Sequence, residues 1–440
     1  MGQQINHTIC AISTPPGIGG IATARISGPQ AIEIVSKIWK GCNISRVASH
    51  TAHYGTIFDP NSGEALDDGV ATIFRAPHSY TGEDTIELSI HGSQWIQREL
   101  INLLIRQGAS IADRGEFTRR AVTNGKLDIA EAEAVADMIA ASSRAAQRIA
   151  LSHIRGEYSA ELNALRDKLI ELASLTELEL DFSEEDVEFA DRTELRNLAQ
   201  QINAKVTSLA DSFAAGRAIK DGVKVTISGA TNAGKSTLLN RLIGEEKAIV
   251  SNIHGTTRDT IEDTAEIGGI LFRFIDTAGL RDTADPIEKI GIDRARKAIQ
   301  SADINIWLVD SENPVFPDKN TDNTIIVYNK SDIATVPEQS IAISALNDTD
   351  LAPLTDELVR RAMPMQIAPA QTVTNARHYE ALMRAADSSA RVIDALSTSL
   401  PTDLIAQDIR ETIDHISAIT DPITTPTLLS QIFTRFCIGK

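Results

Sequence analysis

The sequence predicts a multidomain chain: an N-terminal α+β domain, an all-α domain, and an α/β domain inserted within the helical one. Three observations predict this. A glycine-rich stretch at residues 229–236 stands between a β-branched, alternating run and an apolar, helix-like run. Strand-like alternation gives way to helical periodicity near residue 119. Helical periodicity then returns after residue 368, beyond the α/β segment.

Residues 1–118 read as α+β. Runs 9–12 and 21–26 predict strands around a turn, Thr14-Pro15-Pro16-Gly17-Ile18-Gly19-Gly20, and residues 85–90 alternate as a third strand. Residues 94–107 read as a helix with Trp95, Ile96, Leu100, Leu103 and Leu104 on its apolar side. Gly17 and Gly20 match the G-x-x-G of an RNA-clamping loop. That loop joins two helices, whereas this stretch follows Pro-Pro and enters a strand, so RNA clamping is not expected here.

Residues 119–220 carry two helical stripes. One is Leu127, Ala130, Ala134, Val135, Met138 and Ile139; the other is Leu162, Leu165, Leu169, Leu172 and Leu175. From Glu177 to Asp191 there are eight acidic residues and no basic one. Such a segment is a solvated, helix-capping stretch or a docking surface for a basic partner. Residues 221–368 form the α/β domain, ending in a helix near 354–363. Stripes of Tyr379, Leu382, Ala386, Val392 and Leu396, then of Leu404, Ile405, Ile409, Ile413 and Ile416, join residues 369–440 to 119–220 as one helical domain.

The whole chain sets bounds on function. Its 440 residues exceed one core, and 42% hydrophobic content suits a soluble globular protein. No apolar run approaches the ~20 residues that span a bilayer, so no membrane partner is expected. The first residues have neither a basic nor an apolar export region, and a cytoplasmic location is expected. Cys10, Cys42 and Cys437 are too scattered for a metal site or a disulfide framework. A net charge of −18 argues against nucleic-acid binding through bulk charge while leaving room for a local basic patch.

The chemistry concentrates in the α/β domain. Residues 229–236 fit G-x-x-x-x-G-K-S between strand-like 223–228 and helix-like 237–243. Glycines let backbone amides wrap phosphate oxygens at the positive end of a helix dipole. Asn232, Ala233, Gly234, Lys235, Ser236 and Thr237 are therefore assigned to a nucleotide. Lys235 reaches the β- and γ-phosphates, and the Ser236 hydroxyl ligates Mg²⁺. Asp276, Thr277, Ala278 and Gly279 close the apolar run 271–275, with the aspartate in the Mg²⁺ shell and the glycine amide at the γ-phosphate.

Asn329, Lys330 and Asp332 follow the run 324–328. A carboxylate at Asp332 accepts from the ring N1–H and the exocyclic amine of guanine, a donor pair that adenine lacks. Ser344, Ala345 and Leu346 close the run 340–343 and offer a backbone amide to the guanine oxygen. Gly255, Thr256 and Thr257 lie between the first two motifs, with Thr257 completing the Mg²⁺ shell. Motifs in this order, most of them at strand ends, predict an α/β P-loop GTPase domain of the Ras-like kind, with GTP as substrate. Leu280 occupies the position where Ras-type enzymes orient water with a glutamine, so another group has to compensate.

Further pieces lie outside this domain: Arg25-Ile-Ser-Gly after the first turn, Tyr80-Thr-Gly-Glu-Asp-Thr-Ile-Glu-Leu, Gly115-Glu-Phe-Thr, Asn124-Gly-Lys-Leu-Asp-Ile-Ala-Glu-Ala-Glu-Ala, and the terminal Cys437-Ile-Gly-Lys440. Together with the P-loop domain, they make the chain resemble the tRNA-modification GTPases of the MnmE or TrmE family over essentially its whole length. The resemblance implies a folate-binding-like N-terminal domain that also dimerises, hence a homodimer. It also implies a heterotetramer with an FAD-containing, NADH-using protein of the MnmG (GidA) type. That pair adds a carboxymethylaminomethyl or aminomethyl group to C5 of the wobble uridine of certain tRNAs, using a tetrahydrofolate derivative (5,10-methylene- or 5-formyl-). GTP hydrolysis opens and closes the paired G domains.

The family's folate contacts fall on Arg25, Glu87, Lys126 and Lys440. A carboxylate suits the pteridine amine and N–H, and basic groups suit the glutamate tail. Cys437 either assists one-carbon chemistry or is a structural tail thiol. The family's K⁺ contacts fall on Asn232, Ser251, Ile253 and Thr256, and Asn252 and His254 complete that loop at the nucleotide. The ion replaces the charge of an arginine finger. Glu288 positions the attacking water, with Lys235 as the other catalytic group. The chain departs from the family in lacking a Lys or Arg after Ser344-Ala345, and in a short interval between Gly279 and Asn329. Two other functions compete: an RNA-binding, ribosome-assembly GTPase of the Era-like kind, and a folate-dependent aminomethyltransferase that GTP merely regulates.

Overall fold

A computed structural model describes residues 7–181, 192–245, 262–276, 299–317, 321–346, 351–366, 369, 371–398, 402–421, 433 and 439. Contacts divide the chain into two compact units, residues 1–136 with 417–440 and residues 137–416.

The first unit is built on a seven-stranded sheet: β1 (Ile9–Ile12), β2 (Gly19–Ser27), β3 (Trp39–Lys40), β4 (Thr51–Phe58), β5 (Ala65–Phe74), β6 (Thr85–Gly92) and β7 (Ser110–Ile111), in the order β3-β4-β5-β6-β2-β1-β7. Pairing is antiparallel except between β1 and β7. The two-residue side-chain period sorts the strands' residues onto two faces. Cys10, Ala24, Ile26, Ile86 and Leu88 bury one face beneath α1 (Ala31–Ile38) and α2 (Gln94–Arg106). Ile9 and Ala11 turn to the other face and pack with Phe117 of α3 (Glu116–Thr123).

β4, β5 and α1 have no counterpart among the sequence expectations. In α2, Leu100, Leu103 and Leu104 are buried as predicted, but Trp95 is 57% exposed because it lies in the first turn, off that core face. Arg120 of α3 is fully buried and satisfies its charge internally. It donates to Glu116 Oε1 at 2.9 Å, to both Glu83 oxygens at 3.2 Å and to the His7 carbonyl at 2.9 Å. A cation so deep in the protein persists only with partners of this kind.

Helix α4 (Ile129–Ala140) continues into the second unit, which adds α5 (Arg144–Ile154), α6 (Glu157–Asp181), α7 (Arg192–Asp211) and α8 (Phe213–Asp221). In α4 the buried residues are Ile129, Ala130, Ala132 and Ala134, while Ile139 is half exposed and Leu127 precedes the helix. After α8 comes a six-stranded sheet: β8 (Val223–Gly229), β9 (Glu262–Ile267), β10 (Ile270–Asp276), β11 (Ile304–Asp310), β12 (Thr324–Asn329) and β13 (Ile341–Ala342), with α9 (Lys235–Glu245) and α10 (Ala352–Gln366). The strand order is β13-β12-β11-β8-β10-β9, parallel except for β9 against β10. β8 lies between β10 and β11, so chain crossovers leave in opposite directions at its C-terminal end. That is where α/β sheets open a ligand crevice.

Helices α11 (Ala376–Ser397) and α12 (Thr402–Thr420) follow. α11 packs on α7: Asn203 Nδ2 donates to the Ala386 carbonyl at 3.1 Å and to Ser389 Oγ at 2.8 Å. Segments before and after the α/β sheet thus meet. The two crossings themselves touch, because Val373 N–H donates to Ser212 Oγ at 3.0 Å and a Cβ on Gly216 would lie 2.0 Å from the Val373 carbonyl. Leu404 of the predicted last stripe is 47% exposed, and Ile405, Ile409 and Ile416 supply the buried side. Glu177 of the acidic segment pairs with Arg410 at 2.5 Å; residues 182–191 lie outside the described residues. Among the described residues no helix is long and apolar enough to cross a membrane.

Near the crossings, buried His153 stacks on Tyr158 (centroids 4.7 Å apart), which stacks on His378 at 5.6 Å. Burial pushes the His153 pKa from its ordinary 6.5 down to about 4, helped by His378 and Lys220 and opposed by a hydrogen bond with the Thr372 backbone. The folded-state value lies below the unfolded one, so the neutral ring's contribution is complete above pH 6.5 and is lost as pH falls toward 4. Denaturant unfolding at about pH 7.5 and about pH 5 should show the wild type losing about 2 kcal/mol more than His153→Phe.

Candidate functional site

The phosphate loop leaves β8 at Gly229 and enters α9 at Lys235. Two of its glycines are required by geometry. Gly229 has φ +146 and a Cβ there would come 2.3 Å from the Leu308 carbonyl of β11; Gly234 has φ +92 and its Cβ would come 2.3 Å from Asn329 Nδ2. Asn232 also takes a left-handed φ of +65, which asparagine tolerates better than most residues. The Lys235 ammonium donates to the carbonyls of Gly229 (2.9 Å) and Ala230 (2.8 Å), which folds it back over its own loop. Ser236 and Thr237 are exposed at the first turn of α9, whereas Ala233 is buried.

Asn329, 3% exposed at the end of β12, joins this loop to the base side of the site. Its Nδ2 donates to the Ala233 carbonyl at 2.8 Å, and its Oδ1 accepts from the Ala345 amide at 2.9 Å. The structure therefore brings together the residues read as phosphate contacts (Asn232, Ala233, Gly234, Lys235) and those read as guanine contacts (Asn329, Ser344, Ala345). It also commits the Ala345 amide to Asn329. Lys330 has φ +65 and its ammonium bonds Asp310 at 2.7 Å, which holds the Asp310 carboxyl below the usual range. That link, which the motifs do not signal, fixes the Asn329–Asp332 turn from behind. Asp332 is exposed. Arg241 Nη1 reaches the Leu346 carbonyl at 3.5 Å.

Asp276 ends β10, beside β8 in register with Ile227. Residues 251–257, Thr277, Ala278, Gly279, Glu288, Cys437 and Lys440 lie outside the described residues.

In the first unit, Arg25 of β2 and Glu87 of β6 are register partners, with Ala11 of β1 on the other side of Arg25. Arg25 Nη2 and Nε both reach Glu87 Oε1, at 2.7 and 2.8 Å. The Arg25 guanidinium carbon lies 5.3 Å from the Tyr80 ring centroid and 5.5 Å from that of Phe117. Lys126 runs beside Gly82, where a Cβ would come 3.2 Å from its Cγ. Gly439 rests on the end of β1: its carbonyl accepts from Ser13 Oγ at 3.1 Å, and its own Cβ would lie 2.3 Å from the Ile12 carbonyl. Ile12 pairs with Ala24, next to Arg25, so Gly439 lies at the sheet end that carries Arg25.

A glycine-lined loop at the switch point of a parallel sheet, bridged by a buried asparagine to an Asn-Lys-x-Asp turn, defines a P-loop GTP hydrolase. Residues 8–126 match the family model for the N-terminus of the GTP-binding protein TrmE, and residues 129–437 match that for the MnmE helical domain. The tRNA modification GTPase MnmE of Bacteroides fragilis is 46% identical over 98% of this chain and 99% of that protein. The MnmE of Parabacteroides distasonis is 47% identical over 98% and 100%; that of Cytophaga hutchinsonii is 46% identical over 99% and 98%. The chain belongs to the MnmE/TrmE family.

Removing the Asn329 side-chain amide leaves a buried carbonyl and a buried amide without it, a loss of about 1–3 kcal/mol. Asn329→Ala should lower GTP and GDP affinity by roughly tenfold or more, read by titration with a fluorescent guanine nucleotide.

Proposed function

We propose that the chain is a K⁺-dependent GTPase of tRNA modification. With an FAD-containing partner of the MnmG type, it adds a carboxymethylaminomethyl or aminomethyl group to C5 of the wobble uridine of certain tRNAs. The observation that carries this is the Asn329 bridge between phosphate loop and guanine-reading turn, in a chain whose relatives bear the name tRNA modification GTPase. We assign residues 1–118 to a folate-binding and dimerising domain, 119–220 with 369–440 to the helical domain, and 221–368 to the G domain. The homodimer, the heterotetramer and a cytoplasmic location belong to the same proposal.

The loop is shaped for a phosphate. Its glycine positions exclude a Cβ, and Lys235 stands at its mouth. Ser236 and Thr257 would hold Mg²⁺, and Asn232, Ser251, Ile253 and Thr256 would hold K⁺; the two cations would supply positive charge where negative charge develops between the β- and γ-phosphates. Lys235 neutralises the same region. Its ammonium exchanges loop carbonyls for phosphate oxygens when GTP enters. Asp332 reads the guanine edge, and Glu288 orients the attacking water in place of the glutamine that Leu280 replaces. In the other unit, the Arg25–Glu87 pair offers adjacent donor and acceptor groups to a pteridine, with Lys126 and Lys440 for the acidic tail of a tetrahydrofolate derivative. Cys437, two residues before Gly439, is assigned to the one-carbon side of that site.

Steady-state GTP turnover tests the cation mechanism. It should be markedly faster in KCl than in NaCl at equal ionic strength, and should rise with protein concentration as G domains pair. Slow turnover, indifferent to cation, would remove the proposed role of K⁺. Asp332→Asn should weaken GTP binding by about tenfold or more and admit xanthine nucleotides. Unchanged GTP affinity would overturn the guanine-reading role. Mass analysis of wobble uridine, after incubating tRNA with the chain and an FAD-containing MnmG-type protein, tests the modification itself.

A further inference from the structure

We propose that Tyr80 and Phe117 are the positioning residues of the folate site, holding the Arg25 guanidinium in the plane and direction in which it meets the ligand. This rests on the folate reading above and deepens it.

Arg25 projects from β2 onto the sheet face opposite the main core, beside Ala11 and Glu87. An arginine side chain there has four rotatable bonds, and both of its bonds to Glu87 end on one carboxylate oxygen, which anchors one edge of the guanidinium and leaves the tilt of its plane to other groups. The two rings remove this freedom. Each lies within the ~6 Å at which an aromatic face attracts a cation. The Arg25 side chain between them is 15% exposed.

The rings themselves are held. Phe117 is fully buried against Ile9, Ala11 and Ala112, and Tyr80 packs on that cluster. The Tyr80 hydroxyl shares a 2.8 Å hydrogen bond with Thr118 Oγ1, a fully buried group of the same helix. The residues after Tyr80 are pinned by the same part of the chain. Asn124 Nδ2 donates to the Thr81 carbonyl at 2.7 Å, and Arg120 clamps Glu83. α3 and the residue just after it thus fix the loop that carries Tyr80, and the loop fixes Arg25. Ring and cation act as one unit, so the effect of Tyr80 on folate must pass through Arg25.

The test is calorimetric titration of the full chain with 5-formyl-tetrahydrofolate. Tyr80→Phe keeps the ring and should bind within about threefold of wild type; Tyr80→Leu removes it and should weaken binding about tenfold or more. On an Arg25→Lys background, whose flexible ammonium has no plane to align, Tyr80→Leu should change affinity by less than about twofold. Thermal melting checks that each chain is folded, and Tyr80→Met replaces Tyr80→Leu if the latter is not. Wild-type-like binding by the Leu or Met variant overturns the proposal, as does an equal loss with and without Arg25. Absence of binding by the unaltered chain overturns the folate reading along with it. Binding by the unaltered chain with an indifferent Tyr80 overturns the positioning role alone.

Discussion

The nucleotide site depends on one buried side chain. Asn329 stands at the C-terminal end of β12, two strands from the β8 end that carries the phosphate loop. Its amide has one donor and one acceptor direction engaged, the first with Ala233 and the second with Ala345. Breaking this bridge strands polar groups where water does not reach, and that penalty keeps three chain segments in mutual register. Gly234 completes the arrangement, since a Cβ would fall on the Asn329 nitrogen. Motif residues that read as separate phosphate and base contacts are thus parts of one hydrogen-bonded object.

The same economy appears at the crossings between sheet and helices. The chain leaves α7 through Ser212, passes Gly216 in α8, and comes back along Thr372 and Val373. The two passages are locked by a hydrogen bond and by a contact that admits no Cβ. Phe213 stacks on Tyr379 at 4.5 Å, and Lys220 pairs with Asp137 of α4 at 2.8 Å. A change in the sheet that follows α8 therefore has a packed route to the helices rather than a slack linker.

In the first unit the organising constraint is the buried charge of Arg120. With Glu116 and Glu83 it ties α3 to the loop before β6, and through Tyr80 to Arg25. Phe117, Thr118 and Arg120 come from one helix of eight residues, so a short element sets most of the geometry on that face of the sheet.

The phosphate loop, its flanking strand and helix, and the Asn329–Asp332 turn were legible in the sequence. Their chemistry is local: consecutive amides, glycines at left-handed φ and a lysine at fixed spacing. β11 was not legible, because both its faces are buried and Ile304–Asp310 shows no alternation. Trp95, Ile139 and Leu404 follow apolar periodicity yet lie exposed, since periodicity defines a stripe but not where its neighbours end. The Arg25–Glu87 pair, 62 residues apart, came from family resemblance rather than from spacing. What the sequence by itself determined is the nucleotide chemistry, which lies in contiguous backbone. What only the tertiary structure decided is which distant charges and rings share a face, because strand register, not sequence distance, sets that separation.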